Sequence, residues 1–405
     1  MNRATISKSQ PVISSPFART RALLADIKPG REPIDMSIGE PRHGVPGLVA
    51  DALKGNLQGF GKYPLIRGTR ELQHAIADWI MKRYPVLAGR IDPSSHVLPL
   101  SGSREGLFSA VFTARARRPD CDEPCVLIPN PFYQCYLAGA LSAQCQPVFL
   151  PTTREGGFLP DLESLDGKVL DRTIAFFLCS PSNPQGAVAG EAYWTRLIEL
   201  AEKHDFMIFA DECYSEVYTR SAPLGSLEVA GGRSGNFKHL VAFNSLSKRS
   251  NVPGLRSGFV AGDADFIAEY ANFRNVAGPQ IPVPLQDVSA ALWQDEAHVE
   301  DSRRQYVEKF DAVDTILDRK FDYSRPDGGF FLWLDMHELG GSEQAVVRIW
   351  EECGIKTIPG AYLAQGTAAE TGDSPDYVRI ALVQDLATTE KALKRIVKSL
   401  GLKQS

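Results

Sequence analysis

Residues 239–262 read HLVAFNSLSKRSNVPGLRSGFVAG. HLVAF is apolar after its leading histidine and of strand length, SGFVAG is a second largely apolar run, and the stretch between them is rich in Ser, Gly and Pro. A continuous apolar run, unlike an alternating one, marks a strand buried on both faces, as in a parallel sheet covered by helices. The loop that leaves such a strand is a usual place for chemistry. This loop carries Lys248, flanked by Ser245, Ser247, Arg249 and Arg256.

Working outward, the same kind of run recurs at CVLIP (125–129), PVFLP (147–151), TIAFFL (173–178) and FMIFA (206–210), with helical patterns between. That alternation predicts an α/β fold whose large domain, 48–285, holds a mostly parallel, helix-covered sheet. After QIPVPLQ at 280–286 the pattern changes. Long helical stretches fill 287–318, followed by GGFFLWLD (328–335), KTIPG (356–360), YVRIALV (377–383) and a helix from about 387. We read 286–405 as a smaller α+β domain and 1–47 as an N-terminal segment packing on it. A chain of 405 residues suits such a pair.

Composition narrows the function classes. Hydrophobic residues make up 43% and charged residues 23%, with a formal net charge of -5. This is an ordinary globular balance, with no basic field for nucleic acid. No apolar run reaches the about 18–20 residues that span a bilayer, and the first 24 residues lack a secretory core. Seven scattered cysteines suit a reducing cytoplasm better than a disulfide framework. Cys121 and Cys125 have no second ligand pair at metal spacing, so no metal is expected.

A buried lysine beside cations loses its proton and can form an imine with an aldehyde. Arg249 and Arg256 are the nearby cations here, although Lys248 alone also reads as a surface lysine. Ser245, Ser247 and Arg256 form a donor set for a phosphate monoester. SGSREGLF at 101–108 adds Gly102 and Ser103 at the start of a helical pattern, where backbone N–H groups face an anion. A phosphate next to an imine-forming lysine suggests pyridoxal phosphate, whose ring nitrogen needs an anion. ADECY at 210–214 offers Asp211 at a strand's end, with Tyr214 three residues on, and SPSNPQG at 180–186 offers Asn183. Singly, Asp211 reads equally as a helix cap and Asn183 as a turn residue.

In this order and with these separations, SLSKxxxxPGLRxG, ADExY and SPxNPxG resemble the class I, fold-type I pyridoxal-phosphate aminotransferases, over essentially the whole chain. The resemblance implies an internal aldimine on Lys248, a pyridinium partner in Asp211, and Asn183 with Tyr214 on the ring hydroxyl. It also implies phosphate contacts from Gly102, Ser103, Arg104, Ser245, Ser247 and Arg256, and Tyr133 stacked on the ring. Tyr63 would reach the phosphate of a neighbouring subunit in a homodimer. Arg379 would clamp the substrate α-carboxylate, with Asn183 and Gly39 against the substrate. Amino acids and 2-oxo acids are the implied partners.

The run 244–264, with SGSREGLF and PNPFYQCY, is most similar to the succinyldiaminopimelate branch of lysine biosynthesis, with Arg249 among the residues favouring it. A long dicarboxylic substrate calls for distal cations, for which Arg42, Lys62 and Arg67 are the candidates. Two kinds of rival remain: other enzymes of this fold (an aspartate, aromatic or alanine aminotransferase, or a C–S β-lyase) and a cofactor-sensing regulator. The regulator needs a DNA-binding module, for which about 45 leading residues are too few and too weakly basic.

Overall fold

The computed structural model describes residues 13–400 apart from 234 and 319. The readings made on 1–12 and on 401–405 lie outside the described residues. Twelve strands are formed among the described residues: β1 Ile34–Asp35, β2 Val97–Leu100, β3 Cys125–Asn130, β4 Gln146–Pro151, β5 Thr173–Cys179, β6 Met207–Asp211, β7 Leu240–Ser245, β8 Gly258–Gly262, β9 Phe331–Asp335, β10 Ile355–Lys356, β11 Ile358–Pro359 and β12 Tyr377–Ala381.

Seven of them build the main sheet in the order β2-β8-β7-β6-β5-β3-β4. The pairings from β4 across to β7 are parallel, whereas β8 runs antiparallel to both β7 and β2. Both faces are buried, which is why these strands read as unbroken apolar runs. Along β6, Met207 and Phe209 enter one core while Ile208 and Ala210 enter the other. Strand β2, VLPL, was not foreseen from the sequence. It has four residues and contains Pro99, which cannot donate to a ladder and is tolerated because β2 lies at the sheet's edge.

A separate core forms around the antiparallel sheet β11-β12-β9. Leu332, Leu334, Val378 and Ile380 meet Phe310, Ile349 and Ile396 there, joined by Leu24, Ile34 and Met36 from the N-terminal segment. That segment also pairs β1 with β10 in parallel.

The boundary expected at 285/286 falls inside the helix Val283–Gln294. Its Val288, Leu292 and Trp293 belong to the main sheet's core, where Trp293 packs on Trp79 at 4.9 Å and Phe259 at 5.0 Å. The packing therefore divides after this helix. The proline-rich run that suggested a boundary is the approach to its first turn, where Pro is tolerated. No helix among the described residues is long and apolar enough to cross a membrane.

Candidate active site

Strands β5, β6 and β7 end side by side, at Cys179, Asp211 and Ser245. In a parallel sheet this edge is where loops form a ligand crevice. A cavity of about 1200 Å³ lies there, closed from the other side by Arg379 of β12, Phe331 of β9 and the segment 38–40.

Lys248 stands in the helical turn Leu246–Arg249 directly after β7, and Ser245 caps this turn by accepting the Ser247 N–H at 3.1 Å. The Lys248 ammonium donates to the Gly39 carbonyl and lies 5.5 Å from the Phe330 ring centre. Burial lowers its pKa from 10.5 to about 8, and the guanidinium groups of Arg379 and Arg104 push the same way. The sequence had pointed to Arg249 and Arg256 as those cations.

Arg249 instead points away from the cavity. Its guanidinium donates to the Leu292 carbonyl at 2.8 Å and to Glu296 Oε1 at 2.5 Å, over the Trp293 ring at 4.9 Å. It ties the lysine's turn to the helix Val283–Gln294. A residue in that role carries no substrate information, so Arg249 no longer favours any one substrate branch.

Asp211 forms part of the floor and is only 4% exposed. Its carboxylate accepts from the Tyr136 hydroxyl at 2.5 Å and from the Cys213 N–H at 3.2 Å. Burial raises its pKa, and the Tyr136 hydrogen bond opposes that rise. No cation pairs with Asp211 among the described residues. Tyr136 was missed in the sequence, although it lies one helical turn beyond Tyr133 and so on the same side of its helix. Tyr214 lines the cavity, and burial pushes its hydroxyl well above the usual tyrosine range.

Arg379 is buried at 4% exposure and is not the solvent-facing strand arginine that was the alternative. One terminal nitrogen donates to Asn183 Oδ1 at 3.1 Å and the other to the Ser37 carbonyl at 2.8 Å, while Nε has no partner among the described residues. Burial lowers its pKa to about 10. A desolvated, forked donor with an orphaned N–H is suited to a planar carboxylate. Gly39 was expected to spare the substrate from crowding. It lines the cavity, and a Cβ there would also sit 2.6 Å from the Phe331 ring.

The opposite end of the cavity is rich in donors. The helix Ser103–Arg117 starts at Gly102 with no side-chain cap, which leaves first-turn N–H groups open. Ser103, Ser245, Ser247 and Arg256 surround this end, with the Ser245 and Ser247 hydroxyls 3.0 Å apart. Gly102 has φ +85, and a Cβ on it would lie 2.1 Å from an Arg256 terminal nitrogen. Arg104 engages the Tyr133 hydroxyl through Nε.

This arrangement fits pyridoxal phosphate. The open helix start, hydroxyls and guanidinium suit the phosphate, the unpaired buried Asp211 suits a protonated ring nitrogen, and Lys248 is an amine that gives up its proton more readily than an ordinary lysine.

The structure does not bring every expected residue here. Tyr63, expected at the phosphate of a neighbouring subunit and not in its own chain's cavity, is 100% exposed. Arg42, Lys62 and Arg67 do not line the cavity. Arg42 and Lys62 face solvent, and Arg67 donates to the Ser94 carbonyl at 2.9 Å.

Comparison with known proteins agrees with this geometry. Residues 31–396 match the family described as Aminotransferase class I and II. A curated relative, LL-diaminopimelate aminotransferase of Desulforudis audaxviator, is 30% identical over 394 residues, 95% of each chain. The crystal structure of an aminotransferase from Neisseria meningitidis Z2491 superposes with a TM-score of 0.90 at 41% identity, covering 95% of this chain and 97% of that one. One from Helicobacter pylori 26695 gives 0.86 at 32% identity, covering 97% and 100%. With a family match spanning most of the chain and a cavity furnished for the same cofactor, the chain belongs to the class I and II aminotransferases and depends on pyridoxal phosphate.

Proposed function

We propose that the chain exchanges the amino group between N-succinyl-LL-2,6-diaminopimelate and 2-oxoglutarate. Pyridoxal phosphate, when bound, supplies an aldehyde for the lysine and a ring that withdraws electrons from the substrate α-carbon. Lys248 anchors it at rest. Once released, the Lys248 Nζ would accept the proton from the substrate α-carbon and deliver it to the carbon that had been the cofactor's aldehyde, a role suited to an amine whose pKa is about 8. Asp211 keeps the ring nitrogen protonated, and Asn183 and Tyr214 donate to the ring oxygen. Arg379 orients the α-carboxylate so that the α-proton faces Lys248.

The observation that carries the substrate reading is the cavity lining. Beyond Arg379 its walls are largely apolar, through Ile13, Phe17, Ile38, Phe132, Phe158 and Leu159. Arg104 keeps its two terminal nitrogens free of hydrogen bonds among the described residues. We assign it to a distal carboxylate, in place of Arg42, Lys62 and Arg67 and of the phosphate contact expected of it, which Ser103, Ser245, Ser247 and Arg256 would provide. An acyl group replaces the distal ammonium, which so apolar a wall would penalise, by an amide, and the carboxylate it adds would have to reach Arg104 or solvent. A second reading, unacylated LL-diaminopimelate, draws on the names of the relatives at about 30% identity.

We also propose a cytoplasmic homodimer that completes the site. Tyr63 is bare beside the exposed Leu57, Phe60 and Leu65, a patch suited to burial against a second copy. A half-reaction scan of the holoprotein tests the substrate reading. Glutamate and the succinylated compound should convert the cofactor's absorbance, whereas aspartate and tyrosine should not. Conversion by unacylated diaminopimelate alone would favour the second reading, and conversion by aromatic amino acids alone would overturn both.

A further inference from the structure

Part of the cavity wall is built by the turn that follows β4. Phe158 adopts φ +60 in that turn, directly after Gly157 at φ +64. Left-handed backbone is unfavourable for a bulky aromatic residue, and Gly or Asn would hold it at little cost. The surroundings hold it in place. Its N–H donates to the Thr153 carbonyl at 2.8 Å. Its ring packs edge-on against Tyr377 at 6.0 Å, and Tyr377 stacks on Trp333 at 5.2 Å and 13°.

Tyr377 and Arg379 are two residues apart on β12 and share a face, and Trp333 is the partner of Arg379 across the β9–β12 ladder. The aromatic stack thus ties the strained residue to the strand that carries the carboxylate clamp. Strain of this kind persists where the surroundings over-determine it, typically at ligand clamps. A turn alone gives no reason for a phenylalanine here, whereas a wall held at a fixed separation from Arg379 does.

We propose that Phe158 determines substrate specificity. With Leu159 it ends the side-chain pocket at a distance from Arg379 set by the Phe158–Tyr377–Trp333 stack, and it favours amino acids whose side chain carries an apolar stretch long enough to reach it. The inference rests on the reading that the substrate is long, and it adds the residue that measures that length.

The test uses the holoprotein with Phe158→Gly and Phe158→Asn, both of which accept left-handed backbone. Half-reaction kcat/KM is measured for glutamate, for straight-chain 2-amino acids of increasing length and for N-succinyl-LL-2,6-diaminopimelate, with Tm recorded in parallel. The expected result is a fall of about tenfold in the long-to-glutamate ratio of kcat/KM, carried by KM, with Tm held or raised. A ratio that stays constant, whether the rates fall together or not at all, overturns the inference. Failure of the wild type to use the succinylated substrate would overturn the substrate reading instead, and the straight-chain series would still decide the role of Phe158.

Discussion

Tyr136→Phe removes one hydroxyl from beneath the cofactor site and leaves the ring in place, stacked 4.3 Å from Phe177. The hydroxyl donates to Asp211 at 2.5 Å, and without it the carboxylate keeps the contacts of Cys213, whose N–H lies at 3.2 Å and whose side chain also hydrogen-bonds to it. Hydrogen bonds to charged groups contribute about 1.5–3 kcal/mol. Asp211 is buried, so water does not replace the lost donor, and its pKa moves further in the direction burial already drives it. The ring nitrogen keeps its own charged contact, so we take the lower end of that range. The Kd for pyridoxal phosphate should then rise about tenfold, equivalent to about 1.4 kcal/mol. Titrating the cofactor-free protein with pyridoxal phosphate at several pH values measures it. The loss should deepen as pH falls, because the carboxylate of the variant takes up its proton at a higher pH than that of the wild type. An unchanged Kd across the pH range would refute Asp211 as the cofactor's anion.

Arg379→Lys keeps the charge but loses the fork, so cofactor binding should persist while kcat/KM falls by about 10²-fold; steady-state kinetics with glutamate checks this. For Lys248 in the cofactor-free protein, the folded pKa of about 8 lies below the ordinary 10.5. Its burial therefore destabilises the fold below pH 8, and the penalty disappears as pH rises to 10.5. Lys248→Met should stabilise the cofactor-free protein at pH 7 by at most about 3 kcal/mol, a gain that vanishes over that interval in denaturant titrations. Arg249→Ala should cost about 3 kcal/mol by the same measurement, because it strands Glu296 and the Leu292 carbonyl.

The central strands were legible because each is buried on both faces, so β3, β5, β6 and β7 appear as unbroken apolar runs. β2 was not, being four residues long with a proline. Residues at or just beyond the ends of those strands, Asn183, Asp211 and Lys248, were legible as a group because a parallel sheet delivers its strand ends to one edge. Sequence proximity misled where side-chain direction matters. Arg249 adjoins Lys248, but one step along a helical turn rotates it about 100° away, toward Trp293. Arg42, Lys62 and Arg67 were chosen as neighbours of Gly39 and Tyr63, and their loops carry them outside the cavity. Tyr136 carried a weak periodic signal relative to Tyr133. The strain at Phe158 carried none, since a positive φ at a phenylalanine has no mark in the sequence.

The anchoring of the cofactor on Lys248 is tested most directly by reducing the holoprotein with borohydride, digesting it and locating the added cofactor mass by peptide mass spectrometry. The adduct should sit on the peptide containing Lys248 and be lost in Lys248→Met. A cofactor adduct on any other lysine, or retained in that variant, would contradict it.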